Sequence, residues 1–162
     1  MNRFSIRLFN IAGFFACAGM MAYALYAEHI LMLMPCPLCV FQRVAVIILG
    51  LIFLVIAIHD SRKIIFSWCY VAMITLVAGS GIGVAGRHVW LQNLPLDEVP
   101  SCGPGFDYII DSFPLSEALS LIFTGSGECA STDWQLIGFS MPAWVLISLV
   151  CIAVLGIWNN LR

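Results

Sequence analysis

The sequence predicts an all-α membrane protein, a bundle of four transmembrane helices with one long periplasmic loop. Its composition is too apolar for a soluble domain, since 62% of the 162 residues are hydrophobic and only 10% are charged. Mean hydropathy is +1.00. Helices are expected because lipid offers backbone N–H and C=O groups no partner outside their own segment. We therefore expect residues 1–162 to form a single integral membrane domain.

Four apolar stretches each approach the ~20 residues that a helix needs to cross the hydrocarbon core. They are Leu8–Ala27, Val40–Ile58, Ile64–Ala85 and Pro142–Trp158. The polar segment 91–140 separates the last two stretches and forms the long loop. Within it, Phe113–Phe123 is mostly apolar but too short to span. This segment predicts a short helix lying in the membrane interface.

The distribution of charge orients the bundle. Segment 91–140 contains no Lys or Arg and seven acidic residues. Most of the basic residues fall at the opposite ends of the spans: Arg3, Arg7, Arg62, Lys63 and Arg162. The positive-inside rule then predicts both termini in the cytoplasm and the loop in the periplasm, across a bacterial inner membrane. A signal peptide cleaved after Ala22-Tyr23-Ala24 is an alternative for the first stretch.

The seven cysteines divide into two groups. Cys17, Cys69 and Cys151 lie inside the predicted spans, where cysteine is typically a small buried hydrophobe. The other four fall at or beyond the outer ends of the spans: Cys36, Cys39, Cys102 and Cys129. An oxidising compartment permits disulfides there. Two cysteine pairs on one side of a membrane predict thiol–disulfide exchange.

The segment Cys36-Pro37-Leu38-Cys39 opens the second span. Pro37 suits the first turn of a helix, where its missing N–H costs nothing. Cys39 then lies near the positive end of the helix dipole, which favours a thiolate. Arg43 follows one turn later on the same face and adds a cation.

A thiolate beside a cation at the membrane edge predicts a lipid-soluble electron acceptor, whose reduction develops negative charge. A quinone, ubiquinone or menaquinone, fits this description. Arg43 would stabilise the developing charge. His88, at the outer end of the third span, is a candidate hydrogen-bond donor or proton carrier, and Gln42 lies close by on the second span.

The glycines of the third span have two interpretations. Gly81, Gly83 and Gly86 match G-x-G-x-x-G, but a dinucleotide site also needs a preceding strand. No strand is predicted here. We expect instead that Gly79 and Gly83 let a neighbouring helix approach closely.

Taken in order, these residues resemble the DsbB family of quinone-dependent disulfide-forming proteins. The resemblance covers nearly the whole chain and includes the four spans with inner termini. Its motifs are Glu28-His29, Pro35-Cys36-x-x-Cys39, Gln42-Arg43, His88, Cys102…Cys129 and Met141-Pro142-x-Trp144. At Gln42 the chain departs from those relatives that carry an acid beside the arginine.

The resemblance implies a thiol:quinone oxidoreductase with catalytic Cys36, Cys39, Cys102 and Cys129. A periplasmic, thioredoxin-fold dithiol oxidase of the DsbA type would attack the Cys102–Cys129 disulfide at Cys102. Cys129 would then exchange with the second pair through Cys36. The freed Cys39 would pass electrons to the quinone, held by Arg43, His88 and Gln42. No nucleic-acid partner is expected.

Three alternatives stay open at this point. A disulfide between Cys102 and Cys129 would brace the loop of a membrane scaffold. The outer cysteines could instead bind zinc, although Cys102 and Cys129 lack the short spacing of a typical zinc pair, so no metal is expected. A quinone reductase acting on vitamin-K-type substrates is the third, although in that group the C-x-x-C comes later in the chain.

Overall fold

The computed structural model describes residues 3–59, 64–95, 98, 114, 117, 120, 127–130 and 134–161. Cys102 lies outside this part of the chain. So does most of Phe113–Phe123, the predicted interfacial helix. The roles expected for both therefore stay predictions.

Four long helices make up most of the described structure. They are α1 (Arg3–His29), α2 (Pro37–His59), α3 (Ile64–Gln92) and α5 (Met141–Leu161). Each is long and apolar enough to cross a membrane. Between α3 and α5 the described residues include a short helix, α4 (Gly127–Ala130), and two strands, β1 (Gln135–Leu136) and β2 (Phe139–Ser140). The predicted all-α class with four spanning helices is confirmed.

The helices extend beyond the apolar stretches that predicted them. α1 reaches from Arg3 to His29, and α3 continues past Ala85 to Gln92. An apolar stretch marks only the part of a helix that lipid covers, whereas backbone hydrogen bonding continues into polar flanks. α2 begins at Pro37, before Val40, because proline is well suited to the first helical position. The extra turns place Glu28, Cys39 and His88 on regular helix.

The core lies between the helices and centres on Phe53 of α2, which is 2% exposed. Its ring packs against glycines on two other helices. A Cβ built on Gly13 of α1 would lie 3.1 Å from Phe53 Cγ, and one built on Gly156 of α5 would lie 2.7 Å from Phe53 Cζ. Phe53 thus joins α1, α2 and α5, because both glycines leave room for its ring.

The helix contact predicted for Gly79 and Gly83 is wrong. Both glycines are exposed on the bundle surface, and a Cβ on either would meet nothing within 4 Å. Gly81 makes the close approach instead: its Cβ would lie 3.0 Å from Ala45 Cβ of α2 and 3.0 Å from Leu149 Cδ1 of α5. Helical periodicity explains the difference, since the buried face of α3 also carries Ala78, Ala85 and His88.

A short hairpin before α5 was not predicted from the sequence. Ile137 has φ 56° and Gly138 has φ 80°, the left-handed pair that a tight two-residue hairpin turn requires. Trp144 Nε1 on α5 donates a hydrogen bond to Leu136 O at 3.1 Å. The hairpin is therefore fixed to the start of α5, and it follows directly on Trp134. The Trp134 ring lies 5.8 Å from that of Tyr23 on α1.

We expect Gly81→Leu to destabilise the bundle, since Ala45 Cβ is attached to a helix and has no freedom to move aside. Overpacking of this kind costs about 1–3 kcal/mol, which a lower midpoint of thermal unfolding in detergent would report. Gly83→Leu is the matched control, with the same residue change on the same helix but open space around it. Equal unfolding midpoints for the two variants would contradict the assigned packing face.

Candidate active site

The site begins at the N-terminus of α2, which Cys36 caps. The backbone N–H of Cys39 donates to Cys36 Sγ at 3.3 Å, as a serine or aspartate oxygen accepts at an ordinary N-cap. Cys36 Sγ in turn donates to Cys39 Sγ across 3.0 Å. The cap therefore holds the two sulfurs of the C-x-x-C together at the start of the helix.

Cys129 lies against this cap from the loop side. It is 1% exposed, Cys36 is 5% exposed, and both pack with Leu38 and Leu91. A side-chain hydrogen bond joins Cys129 and Cys36. The short helix α4 thus brings one loop cysteine to the outermost sulfur of the C-x-x-C pair.

The thiol of Cys36 is held in its protonated form. Its hydrogen bond with Cys129 raises its pKa most, followed by the hydrogen bond with Cys39 and by burial. A thiol that donates to a neighbouring sulfur loses those interactions when it ionises. Cys39 accepts the hydrogen bond from Cys36 and is more exposed than Cys36. In the reduced pair, Cys39 is therefore the more accessible sulfur.

His88 of α3 lies alongside the two sulfurs and is 3% exposed. Its Nε2 is 3.7 Å from Cys36 Sγ, and its Nδ1 is 4.0 Å from Cys39 Sγ. Gln42 Nε2 donates a hydrogen bond to His88 Nδ1 at 3.0 Å. Gln42, whose role was open in the sequence, thus fixes the orientation of the imidazole.

Arg43 pairs with Glu28, a residue that the sequence analysis did not place in the site. Arg43 Nη1 donates to Glu28 Oε2, and Arg43 Nη2 donates to Ala24 O at 3.3 Å. Both acceptors belong to α1. One signal for Glu28 was available: it is the only acidic residue in the first 59 positions. Such a residue in an apolar segment calls for a cationic partner.

These side chains form one wall of a cavity of about 130 Å³. The polar wall includes Cys36, Cys39, Gln42, Arg43 and His88, and Gln92 of α3 adds a further polar side chain. Most of the remaining lining is apolar and comes from α1, α5, the segment before α2 and the residue before β1. It includes Met20, Met21, Leu33, Met34, Pro35, Trp134, Met141, Pro142 and Val145. The arrangement suits a ligand that is largely apolar and has a few polar atoms at one end.

The structure brings together six of the predicted site residues: Cys36, Cys39, Gln42, Arg43 and His88 in the cavity wall, and Cys129 behind Cys36. The expectation that the other three cysteines are buried holds for Cys17 alone. Cys69 and Cys151 lie exposed on the bundle surface, because their helix faces point away from the core.

Comparison with known proteins supports the family resemblance found in the sequence. The family model "Disulfide bond formation protein DsbB" matches residues 6–159. The chain belongs to the DsbB family. This family member is 45% identical over 160 residues to disulfide bond formation protein B of Nitrosococcus oceani, an alignment that covers 97% of this chain and 92% of the relative. It is 41% identical over 162 residues to the Acinetobacter baumannii protein, with coverage of 99% and 94%.

Family membership and four spanning helices make the chain a multi-pass membrane protein of disulfide bond formation. The DsbB-family resemblance stated from the sequence is thereby confirmed. Among the described residues, the cysteines around the cavity are the candidates for thiol chemistry in this DsbB family member.

We predict that alkylating reagents modify Cys39 before Cys36 in the reduced protein. Both cysteines line the cavity, but Cys36 is buried and its pKa is raised, whereas Cys39 is partly exposed. Because only the thiolate reacts, the raised pKa of Cys36 lowers its reactive fraction near neutral pH, about tenfold for each unit. Timed alkylation in detergent with mass spectrometry of the peptides measures both rates. Faster modification of Cys36 would contradict the assigned hydrogen bonds.

Proposed function

We propose that the chain is an inner-membrane thiol:quinone oxidoreductase that reoxidises a periplasmic dithiol oxidase of the DsbA type. The observation that carries the proposal is the position of Cys39 and Arg43 on one wall of a largely apolar cavity. A redox-active sulfur and a guanidinium facing the same apolar space suit an acceptor with an apolar tail and a ring that gains negative charge.

The cavity fits a quinone by its chemistry. Its lining supplies apolar contacts for a hydrocarbon tail and three polar side chains for ring oxygens: Arg43, Gln42 and His88. When bound, the quinone supplies a two-electron acceptor. Arg43 would donate hydrogen bonds where charge develops, and His88, which already contacts both sulfurs, would hold or release a proton.

Transfer between the cysteine pairs follows from the contact of Cys129 with Cys36. The Cys129 thiolate would attack Cys36 Sγ in the Cys36–Cys39 disulfide. The Cys36–Cys129 bond forms, the Cys36–Cys39 bond breaks, and Cys39 leaves as a thiolate that carries the electron pair into the cavity. The N-terminus of α2 favours that leaving group because the helix dipole is positive there.

Entry of electrons is assigned to Cys102. The dithiol of the partner oxidase would attack the Cys102–Cys129 disulfide at Cys102, and Cys129 would leave as the thiolate needed for the next exchange. This route places the loop in the periplasm and both termini in the cytoplasm. The position of Arg7, at the end of the bundle opposite the cysteines, supports that orientation. All residues 1–162 would then act as one integral membrane domain.

Arg43→Ala tests the proposal most simply. We expect a loss on the order of 10²-fold in kcat/KM for ubiquinone, the usual effect of removing a donor from a developing oxyanion. Exchange of thiols with the dithiol partner should be unchanged. Arg87→Ala is the matched control, because Arg87 lies at the same end of α3 as His88 but packs over the Trp90 ring at 4.2 Å. If Arg43→Ala shows the quinone kinetics of the wild type, Arg43 is not part of the quinone site.

Glu28 should act by positioning Arg43. Without its carboxylate, the guanidinium keeps only the bond to Ala24 O and is free to turn toward water. Glu28→Gln is therefore expected to raise the KM for quinone several-fold with a smaller effect on kcat, and Glu28→Asp to restore part of the loss. Glu117→Gln, a change to an exposed loop acid, serves as control. An unchanged KM in Glu28→Gln would show that the ion pair is not needed.

A further inference from the structure

The residues around Cys36 also form a set of soft metal ligands. Cys36, His88 and Cys129 are all buried, and their donor atoms lie within 4.8 Å of one another. Cys36 Sγ and His88 Nε2 are 3.7 Å apart. Sulfur and nitrogen atoms bound to one tetrahedral zinc ion, at about 2.3 and 2.0 Å from it, are separated by roughly 3.6 Å. This pair is therefore already at the spacing that a metal ion requires.

Cys39 provides a fourth ligand. Its sulfur is 3.0 Å from Cys36 Sγ, and two thiolates on one zinc ion are roughly 3.8 Å apart by the same bond lengths. The Cys39 sulfur now contacts His88 at Nδ1, 4.0 Å away, so its side chain must rotate to open that gap and join the other three ligands. C-x-x-C spacing is also the usual source of two zinc ligands on one short segment. The complete set is three thiolates and one imidazole, drawn from α2, α3 and α4.

Gln42 supplies the support that a metal-binding histidine normally has. Its amide contacts Nδ1 of His88 and leaves Nε2 facing Cys36. If the Gln42 amide rotates so that its oxygen accepts from Nδ1–H, the Nε2 lone pair becomes available to a metal ion. A polar partner on the second ring nitrogen fixes the tautomer and orientation of metal-binding histidines.

We propose that the fully reduced protein binds one soft divalent cation, Zn²⁺ or Cd²⁺, through Cys36, Cys39, His88 and Cys129. Each coordinated thiol releases its proton, and no electron is transferred. Coordination occupies the sulfur atoms that must bond to each other, so the loaded protein is unable to form the Cys36–Cys39 or the Cys36–Cys129 disulfide. The disulfide forms lack the free thiolates that the ion needs, so binding is confined to the reduced protein.

This site differs from the zinc site of outer cysteines that the sequence suggested as an alternative. The wide spacing of Cys102 and Cys129 disfavours a zinc site built from two cysteine pairs. The structure combines the C-x-x-C with one loop cysteine and a histidine from α3, and Cys102 is not needed. The inference stands on this geometry and does not depend on a quinone being the electron acceptor.

The test uses protein in detergent, with Cys17, Cys69 and Cys151 changed to alanine, reduced and kept anaerobic. Zn²⁺ is titrated against a chromophoric chelator, and Co²⁺ is added separately because its absorption reports tetrahedral thiolate coordination. We expect one equivalent of Zn²⁺, a thiolate–Co²⁺ spectrum, and neither in the oxidised protein. Absence of the Co²⁺ spectrum in the reduced protein, or equal Zn²⁺ binding by the oxidised protein, would overturn the proposal.

Two loop variants make a matched pair. Cys129→Ser should weaken Zn²⁺ binding at least tenfold, whereas Cys102→Ser should bind Zn²⁺ like the parent. Gln42→Ala should weaken binding by about 10- to 100-fold, as loss of a supporting hydrogen bond commonly does. If Cys129→Ser binds like the parent, the metal is held by the C-x-x-C alone and the four-ligand site is wrong.

Oxidation of the metal-free reduced protein by ubiquinone is measured in parallel. Zn²⁺ binding without quinone reduction would leave this inference standing and reject the proposed function. Quinone reduction without Zn²⁺ binding would leave the proposed function standing and reject this inference. When both occur, added Zn²⁺ should stop quinone reduction, and a chelator should restore it. Undiminished quinone reduction by the Zn²⁺-loaded protein would contradict the proposed block.

Discussion

The hydrogen bond from the Cys39 backbone N–H to Cys36 Sγ is the interaction on which the site depends. It makes a reactive sulfur the cap of a membrane helix. The cap fixes Cys39 in the first turn of α2, and the helical repeat then places Gln42 and Arg43 one turn further on, facing α3 and α1 respectively. His88 and Cys129 pack over the cap and keep water from it. A change at this point would therefore disturb the helix terminus and the chemistry together.

The two sulfurs of the C-x-x-C face different surroundings, and this asymmetry gives the site a direction. Both line the cavity, but Cys36 is buried and hydrogen-bonded to Cys129, whereas Cys39 is more exposed and lies one helical turn from Arg43. Thiol exchange with the loop therefore suits Cys36, and transfer to a membrane acceptor suits Cys39. The same closeness of sulfur and imidazole that permits exchange also creates a set of metal ligands. The proposed relay would therefore bind soft cations whenever its thiols are reduced.

Much of the architecture could be predicted from the sequence, because the length and apolarity of each span follow directly from the bilayer. That Cys39 and Arg43 share a face of α2 also follows from helical spacing alone, whereas the cavity on that face depends on other elements. Side-chain partners on other helices could not be predicted. A helix that is apolar on all sides does not reveal its buried face, so Gly81 was missed in favour of Gly79 and Gly83. The pairing of Glu28 with Arg43 likewise depends on how α1 packs against α2. The position of the hairpin that follows Trp134 depends on its packing against α5.

A count of free thiols over time would show whether the two cysteine pairs form a relay that ends on a quinone. The protein with Cys17, Cys69 and Cys151 changed to alanine is reduced in detergent, freed of reductant without oxygen, mixed with excess ubiquinone, and alkylated at intervals. If the relay operates, four thiols disappear as two quinones are reduced to quinols, because the formation of each disulfide releases two electrons and two protons. Thiols that stay free with ubiquinone and with menaquinone would contradict it.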